Sequence, residues 1–234
     1  MILVTGASQG IGLACALALL ERTDQPVLIT GRSQAKLDRV CAALPADLRG
    51  RLDTMVCDQS RVEDVEALIT RVRGPGMITG AVLTVGVNPA YDGGAGRIHT
   101  LDASTIEQTV RTNCTHATLL TAAMLERLRG QRSGALVWIG SQAAGVGLPG
   151  AALYCATKSF LSGLARAAHN EYGRYGIRTH LAHPGLVRTP RTAAMADAFA
   201  RRHGLRVEDA SDVARQVVDL FLDGDPNAVE VTLS

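Results

Sequence analysis

The chain of 234 residues has few aromatic side chains and almost no net charge, and these two shortages bear on nucleic-acid binding. Aromatic residues make up 3% of the sequence, which leaves little material for platforms on which the bases of a single strand could stack. The formal net charge of +2 gives no general electrostatic attraction to nucleic acid, whose binding is favoured by a strongly basic face or stripe. We therefore expect no nucleic-acid partner.

Long apolar runs and paired cysteines are also missing. No stretch approaches the roughly 18 uninterrupted apolar residues of a spanning helix, and the apolar start of the chain is interrupted at Thr5 and Gly6. The five cysteines are odd in number and widely spaced, with no Cys-x-x-Cys pair. We expect a cytoplasmic protein in a reducing compartment, with no membrane partner and no metal site.

Seven short apolar runs alternate with longer segments of helical periodicity along the whole chain. Parallel strands need helical crossovers and read as near-continuous apolar sequence, so this alternation predicts an α/β fold. The expected architecture is a doubly wound, seven-stranded parallel sheet of the Rossmann type. Without a repeat, linker or low-complexity tract, residues 1–234 are predicted to form a single domain. The runs are 2–4, 27–30, 52–56, 81–85, 135–139, 177–181 and 229–233.

The longest helical pattern covers residues 105–128. Apolar residues recur there at steps of three and four, which places them on one stripe of a single helix. Its members are Ile106, Val110, Cys114, Ala117, Leu120, Met124 and Leu128.

A glycine-rich turn follows the first apolar run and opens a helical stretch. In such a strand–turn–helix unit, free backbone N–H groups and the positive end of the helix dipole face the place where a pyrophosphate can bind. The alternative is a turn that simply bends the chain. Its position after the first strand favours the phosphate site, whose residues are Gly6, Ser8, Gln9, Gly10, Ile11 and Gly12.

The spacing of the turn, Gly-x-x-x-Gly-x-Gly, resembles that of the short-chain dehydrogenase/reductase family. The resemblance extends over nearly the whole chain. It implies an oxidoreductase that binds a nicotinamide cofactor, and it allows the remaining motifs to be compared with those of the family.

The end of the second strand indicates which nicotinamide cofactor is used. An acidic residue there would accept hydrogen bonds from the 2′-hydroxyl of the adenosine ribose, but this strand continues into Arg32 and Ser33. A guanidinium can bind a 2′-phosphate that a carboxylate would repel, so we predict NADP(H). The alternative is a solvated surface arginine. By resemblance, Asp58 after the third strand binds the adenine amino group, although an Asp at a strand end is also an ordinary turn residue.

Tyr154 and Lys158 lie four residues apart in a predicted helix. Four residues turn a helix by about 400°, so both side chains project from nearly the same face. A nearby ammonium favours the phenolate of a tyrosine, which suits a proton-transferring pair. Lysine occupies only two of the 234 positions, Lys36 and Lys158, so its occurrence four residues after this tyrosine favours a functional role.

The family resemblance adds two members to this predicted catalytic group. Ser141, thirteen residues before Tyr154, is the residue that would hydrogen-bond the substrate oxygen. Asn113 would help to position Lys158 through a water molecule, although an Asn within a helix usually faces solvent.

Further cofactor contacts are implied by the same resemblance. The family's Asn-Asn-Ala-Gly motif is replaced at residues 83–86 by Leu-Thr-Val-Gly, so that only Gly86 is retained for backbone contacts to the ribose. A Pro-Gly segment resembles the one that holds the nicotinamide, although such a turn can also simply end a strand. Within it, His183 is expected to be a structural neighbour and not an acid or base. The nicotinamide contacts are Pro184, Gly185, Val187 and Thr189.

Two segments beyond the strand ends are expected to line the substrate crevice. One is a small helical lid at about residues 189–205, whose arginines either select an acidic substrate or simply face water. The other is 142–150, from which Gln142 and Leu148 are predicted to contact substrate together with Ser141 and Tyr154.

The predicted function is NADPH-dependent reduction of a ketone or aldehyde to an alcohol, or the reverse, with a small-molecule carbonyl or alcohol as the partner. The alternative is a protein on the same fold that senses NADP(H) without catalysis. The resemblance further implies a homodimer or homotetramer.

Overall fold

The computed structural model describes residues 1–92, 96–203 and 206–233. Strands and helices alternate along them. The strands are β1 (Ile2–Thr5), β2 (Val27–Gly31), β3 (Leu52–Val56), β4 (Gly80–Leu83), β5 (Gly134–Ile139), β6 (Ile177–His183), β7 (Leu186–Arg188), β8 (Val207–Asp209) and β9 (Glu230–Thr232). The helices are α1 (Gly10–Arg22), α2 (Gln34–Ala43), α3 (Ala46–Arg49), α4 (Val62–Arg73), α5 (Ala103–Val110), α6 (His116–Gln131), α7 (Ala143–Val146), α8 (Ala152–Tyr172), α9 (Ala193–His203) and α10 (Ala210–Asp223).

Seven strands form one parallel sheet in the order β3-β2-β1-β4-β5-β6-β9. This confirms the predicted doubly wound fold. After β3 at one edge the chain returns to the middle and adds β4 beside β1, so the direction of winding reverses between these strands. In such sheets, a crevice opens at the carboxyl ends of the two strands at the reversal.

Apolar side chains cover both faces of the sheet, as buried parallel strands require. On one face α1, α2 and α10 pack against the sheet through residues such as Leu19, Leu37 and Val217. On the other face α4, α6 and α8 contribute residues such as Leu68 and Met124. Among the described residues, no helix combines the length and the apolar character that crossing a bilayer requires.

The predicted helix of residues 105–128 is interrupted by a π-helical segment, Arg111–Thr115, between α5 and α6. The wider turn shifts the helical phase, so the expected apolar stripe does not continue into α5. Ile106 and Val110 are 39% and 37% exposed, whereas Leu120, Met124 and Leu128 are buried. The predicted single stripe is therefore divided between an exposed part on α5 and a buried part on α6.

A second, two-stranded sheet forms outside the main sheet, where β7 pairs with β8 in parallel. The chain between these strands contains α9, which lies within the predicted lid. Arg188 at the end of β7 forms ion pairs with Asp197 of α9 and with Asp209 of β8. The lid is thus tied to its own base, and residues 204 and 205 of the predicted lid lie outside the described residues.

Candidate active site

A cavity of about 550 Å³ opens at the carboxyl ends of the central strands. The glycine-rich turn after β1 forms one part of its wall, and the residues after β5 and β6 form another. Predicted catalytic and cofactor residues therefore meet in one space. Those that line it are Gly6, Ser8, Gln9, Gly10, Ile11, Gly12, Arg32, Asp58, Gly86, Ser141, Tyr154, Lys158, Pro184, Gly185, Val187 and Thr189.

The turn between β1 and α1 needs glycine for two different reasons. Gly6 and Gly10 have φ angles of 63° and 61°, in the left-handed region that glycine adopts at little cost. At Gly12 a Cβ atom would lie 2.7 Å from the carbonyl oxygen of Gly6. The first turn of α1 has no side-chain cap and no acidic residue, so its N–H groups face the cavity without a competing negative charge.

Two basic side chains lie close to the carboxyl end of β2. Arg32 follows β2 and is exposed at the cavity wall. Lys36, in the first turn of α2, donates a hydrogen bond from Nζ to Oε1 of Gln9 at 3.0 Å. Sequence reasoning missed Lys36, although it lies only four residues after Arg32, in the first turn of α2.

Asp58 follows β3, the strand that pairs with β2, and lines the same cavity as Arg32. Its Oδ1 accepts hydrogen bonds from the backbone N–H and the hydroxyl of Ser60, at 2.9 and 2.8 Å. These bonds fix the direction of the carboxylate at the cavity wall.

Lys158 is 3% exposed and is held beside Tyr154. Its Nζ donates to the carbonyl oxygen of Ile139, at the end of β5, at 2.7 Å, and lies 5.6 Å from the centre of the Tyr154 ring. Burial lowers the pKa of Lys158 from 10.5 to about 8, and the neighbouring Cys114 thiol acts in the opposite direction. The ammonium is therefore a charge held in a poorly solvated place, close to a tyrosine.

Gly86 makes room for this ammonium. A Cβ atom at this position would lie 3.0 Å from Nζ of Lys158 and 3.9 Å from Oδ1 of Asn113. The neighbouring Thr84 binds back to β1, donating from Oγ1 to the carbonyl oxygen of Thr5 at 2.6 Å. The predicted strand at 81–85 therefore ends at Leu83.

Asn113 lies in the π-helical segment and is 2% exposed. Its Oδ1 accepts from the N–H of Val87 at 2.8 Å, while Nδ2 donates to the carbonyl oxygen of Val87 and to Oγ1 of Thr157, both at 2.9 Å. The amide thus fixes the backbone next to Gly86 and the residue that precedes Lys158. It does not line the cavity itself.

Ser141 follows β5 and has its hydroxyl oriented by the next turn. Its Oγ accepts the N–H of Ala143 at 3.2 Å, which leaves the hydroxyl hydrogen for another acceptor. Ser141, Tyr154 and Lys158 line the same cavity, so two hydroxyl-bearing side chains and an ammonium share its wall.

The segment after β6 forms the wall opposite the glycine-rich turn. Thr189 shares a hydroxyl hydrogen bond of 2.8 Å with Thr192, which in turn donates to the carbonyl oxygen of Val187 at 2.7 Å. A Cβ atom at Gly10 would lie 3.3 Å from Cγ2 of Thr189, so the two walls approach closely here.

Three predicted contact residues do not line the cavity. Ser33 begins α2 as its N-cap residue. Gln142 donates from Nε2 to the carbonyl oxygen of Leu233 at 3.2 Å, toward the β9 edge. Leu148 has its N–H directed to Sγ of Cys155 at 3.3 Å. Their predicted roles had rested on position in sequence, which does not determine the direction of a side chain.

Polar residues before Asn113 line the cavity and were missed in the sequence. Thr105, Thr109 and Thr112 follow steps of four and three, a helical spacing that could have indicated a polar face on α5 and the π-helical segment. They were overlooked because the apolar stripe alone was traced.

Comparisons with known proteins consistently find dehydrogenases and reductases. A family model described as short chain dehydrogenase matches residues 1–199. 2-(S)-hydroxypropyl-CoM dehydrogenase 3 of Xanthobacter autotrophicus is 31% identical over 191 residues, which cover 80% of this chain and 71% of the relative. Sepiapterin reductase of Chlorobaculum tepidum is 29% identical, over 98% of this chain and 93% of its own.

Solved structures share the whole fold. A short chain dehydrogenase/reductase family protein superposes with a TM-score of 0.87 at 26% identity, covering 99% of this chain and 94% of its own. A putative betaketoacyl-ACP reductase gives a TM-score of 0.85, also at 26% identity, over 100% of this chain and 95% of its own.

The buried ammonium predicts a distinctive pH dependence of stability. Between pH 8 and 10.5 the unfolded chain, where lysine has its ordinary pKa, binds more protons at this position than the folded one, so stability rises with pH. Relative to Lys158→Met, the wild-type free energy of unfolding should increase by on the order of 2 to 3 kcal/mol from pH 7 to 10.5. Urea denaturation across this range measures the difference. A gap between the two proteins that does not change with pH would contradict the burial of the charge.

Proposed function

Because this chain belongs to the short-chain dehydrogenase/reductase family, and so to the oxidoreductases, we propose that it interconverts a small ketone or aldehyde and its alcohol with NADP(H) as cofactor. The observation that carries this proposal is that Ser141, Tyr154 and Lys158 line the same cavity as the glycine-rich turn. A protein that only sensed the cofactor would have no use for a proton donor beside a buried ammonium. The names of the two curated relatives describe a dehydrogenase and a reductase, in keeping with this reaction class.

The cavity walls suit a nicotinamide dinucleotide from one end to the other. The uncapped N–H groups of α1 would hold the pyrophosphate, and Asp58 would hold the adenine. Lys158 and the backbone at Gly86 would hold the nicotinamide ribose, while Pro184, Gly185, Val187 and Thr189 would contact the nicotinamide. When bound, the cofactor supplies a hydride to the carbonyl carbon, or accepts one from the alcohol.

The protein's own groups handle the substrate oxygen. In the direction of reduction, negative charge develops on this oxygen, and the Ser141 hydroxyl donates a hydrogen bond to it. Tyr154 gives its phenolic proton to the same oxygen, and the adjacent Lys158 ammonium stabilises the phenolate that remains. Asn113 acts indirectly, because it fixes the backbone at Val87 and the Thr157 hydroxyl next to Lys158.

The preference for NADP(H) rests on Arg32 and Lys36. An additional phosphate on the adenosine ribose would lie near both cations, and no acidic residue follows β2 to repel it. Ser33 would contribute through its position at the start of α2.

A homodimer or homotetramer is the proposed assembly. Four large apolar side chains on α5, α6 and α8 are between 37% and 43% exposed, although each belongs to a helix that otherwise packs on the sheet or beside the cavity. Pairing these helices with those of a second copy would remove this apolar surface from water. The residues are Ile106, Val110, Leu119 and Phe160.

Replacing the tyrosine hydroxyl tests the proton-transfer step. We expect Tyr154→Phe to reduce kcat by at least about a thousandfold, because both general acid catalysis and phenolate formation are lost. NADPH binding, measured by fluorescence titration, should survive. Tyr172→Phe at the other end of α8 serves as the matched control and should leave kcat unchanged. Substantial turnover by Tyr154→Phe would refute the role of this residue.

The cofactor preference has its own test. Arg32→Ala and Lys36→Met should each weaken NADPH binding about tenfold or more, as expected for a lost charge-assisted hydrogen bond, and leave NADH binding unaltered. Arg39→Ala, on the same helix, is the control. Isothermal titration with both cofactors decides the matter, and tighter binding of NADH by the wild-type protein would overturn the assignment.

Sedimentation at micromolar concentration tests the assembly. The wild-type protein should sediment as a dimer or tetramer, and Phe160→Glu should shift it toward monomer, because it would bury a charge in the proposed interface. A wild-type protein that is monomeric would exclude the assembly.

A further inference from the structure

A buried histidine lies directly behind Ser141, on the side away from the cavity. His183 is 8% exposed at the end of β6. Its Nδ1 lies 3.3 Å from the backbone nitrogen of Ser141 and 3.0 Å from the Ser141 carbonyl oxygen. At Gly140 a Cβ atom would be only 2.7 Å from this Nδ1, so the glycine leaves space for the imidazole.

The other nitrogen of the ring is held by a carboxylate. Nε2 of His183 lies 2.8 Å from Oε2 of Glu230 on β9. Burial alone would raise the pKa of Glu230, but hydrogen bonds from His183 and Ser162 and the charge of Arg166 outweigh it and lower this pKa. Glu230 is therefore a carboxylate that can only accept hydrogen bonds.

This arrangement determines the tautomer of the histidine. Because the carboxylate can only accept, the hydrogen in the contact with Glu230 belongs to Nε2. In the neutral ring Nδ1 then carries a lone pair and accepts the N–H of Ser141 at 3.3 Å, whereas the Ser141 carbonyl oxygen, 3.0 Å from Nδ1, would be a partner only for the protonated ring. The imidazole thus links the carboxylate of Glu230 to the backbone of Ser141 through its two nitrogens.

Glu230 also binds the helix that carries the predicted catalytic pair. Ser162 donates from Oγ to Oε2 of Glu230 at 2.9 Å, and Arg166 pairs with Oε1. Both residues lie on α8, as do Tyr154 and Lys158. One carboxylate therefore connects the helix of the tyrosine to the loop of the serine.

We propose that His183 is a positioning residue for Ser141, held by Glu230 so that Nδ1 accepts the Ser141 amide hydrogen and sets where the serine hydroxyl meets the substrate. This inference rests on the proposed function, in which Ser141 stabilises the charge on the substrate oxygen. A hydroxyl displaced by a fraction of an ångström loses much of that stabilisation.

Two amide substitutions separate positioning from simple filling of space. In His183→Asn the side-chain oxygen can take the place of Nδ1 and accept from Ser141, whereas in His183→Gln the amide takes the place of Nε2 and contacts only Glu230. We expect kcat to stay within about threefold of wild type for His183→Asn and to fall about tenfold or more for His183→Gln. The Kd for NADPH should not change in either variant. His180→Asn, which replaces another buried histidine of β6, is the control.

A second measurement does not depend on turnover. Hydrogen exchange of the Ser141 amide should be faster in His183→Gln than in wild type, and close to wild type in His183→Asn. If the histidine variants fail to fold, Glu230→Asp provides the test instead. It withdraws the carboxylate from the imidazole and should also speed the exchange of the Ser141 amide.

The two readouts also separate the failure of this inference from that of the proposed function. Equal kcat values for the Asn and Gln variants, a better Gln variant, or unchanged Ser141 exchange would overturn the positioning role. An absence of turnover by the wild-type protein with any carbonyl substrate would instead overturn the proposed function, and the exchange experiment would still decide whether His183 holds Ser141.

Discussion

A positively charged side chain lies in the interior of this protein, almost out of contact with water, and the surrounding structure is arranged to accommodate it. Lys158 offers three hydrogen-bond donors, one of which binds the carbonyl oxygen at the end of β5. Removing an ammonium from water is costly, as the lowered pKa of this residue expresses. Such a cost is typical of groups retained for chemistry and not for stability.

The need to hold this charge accounts for the one residue of the family's Asn-Asn-Ala-Gly motif that the chain keeps. Three residues of the Asn-Asn-Ala-Gly motif are replaced, yet Gly86 remains, because a Cβ atom there would press on the Lys158 ammonium. Asn113 is brought inward by the π-helical segment and fixes both the backbone after Gly86 and the Thr157 hydroxyl. The geometry around the Lys158 ammonium thus explains the retained glycine and the buried Asn113, which composition does not explain.

Much of the architecture could be predicted from sequence because buried parallel strands leave a strong apolar signal. All seven apolar runs correspond to strands of the main sheet, and the glycine-rich turn, Tyr154 and Lys158 meet in one cavity. The π-helical segment could not be predicted, since one extra residue in a turn leaves no mark on a pattern of apolar residues. Strands β7 and β8 have three residues each, too few to show a period.

The prediction of the site residues was limited because sequence position does not reveal the direction of a side chain. Gln142 and Leu148 lie in a segment that borders the crevice, but the short helix α7 and the bond from Gln142 to Leu233 turn the Gln142 side chain elsewhere. Glu230 is far from the family motifs in sequence and becomes relevant only when the fold brings it beside His183. Contacts between distant segments carry no local signal.

Isotope transfer tests the central claim most directly. The purified protein would be incubated with NADPH deuterated at the transferable position of the nicotinamide and with a panel of ketones and aldehydes, and the products analysed by mass spectrometry. The account predicts an alcohol that carries deuterium on the former carbonyl carbon. Binding of NADPH without labelled alcohol from any member of a broad panel would contradict it.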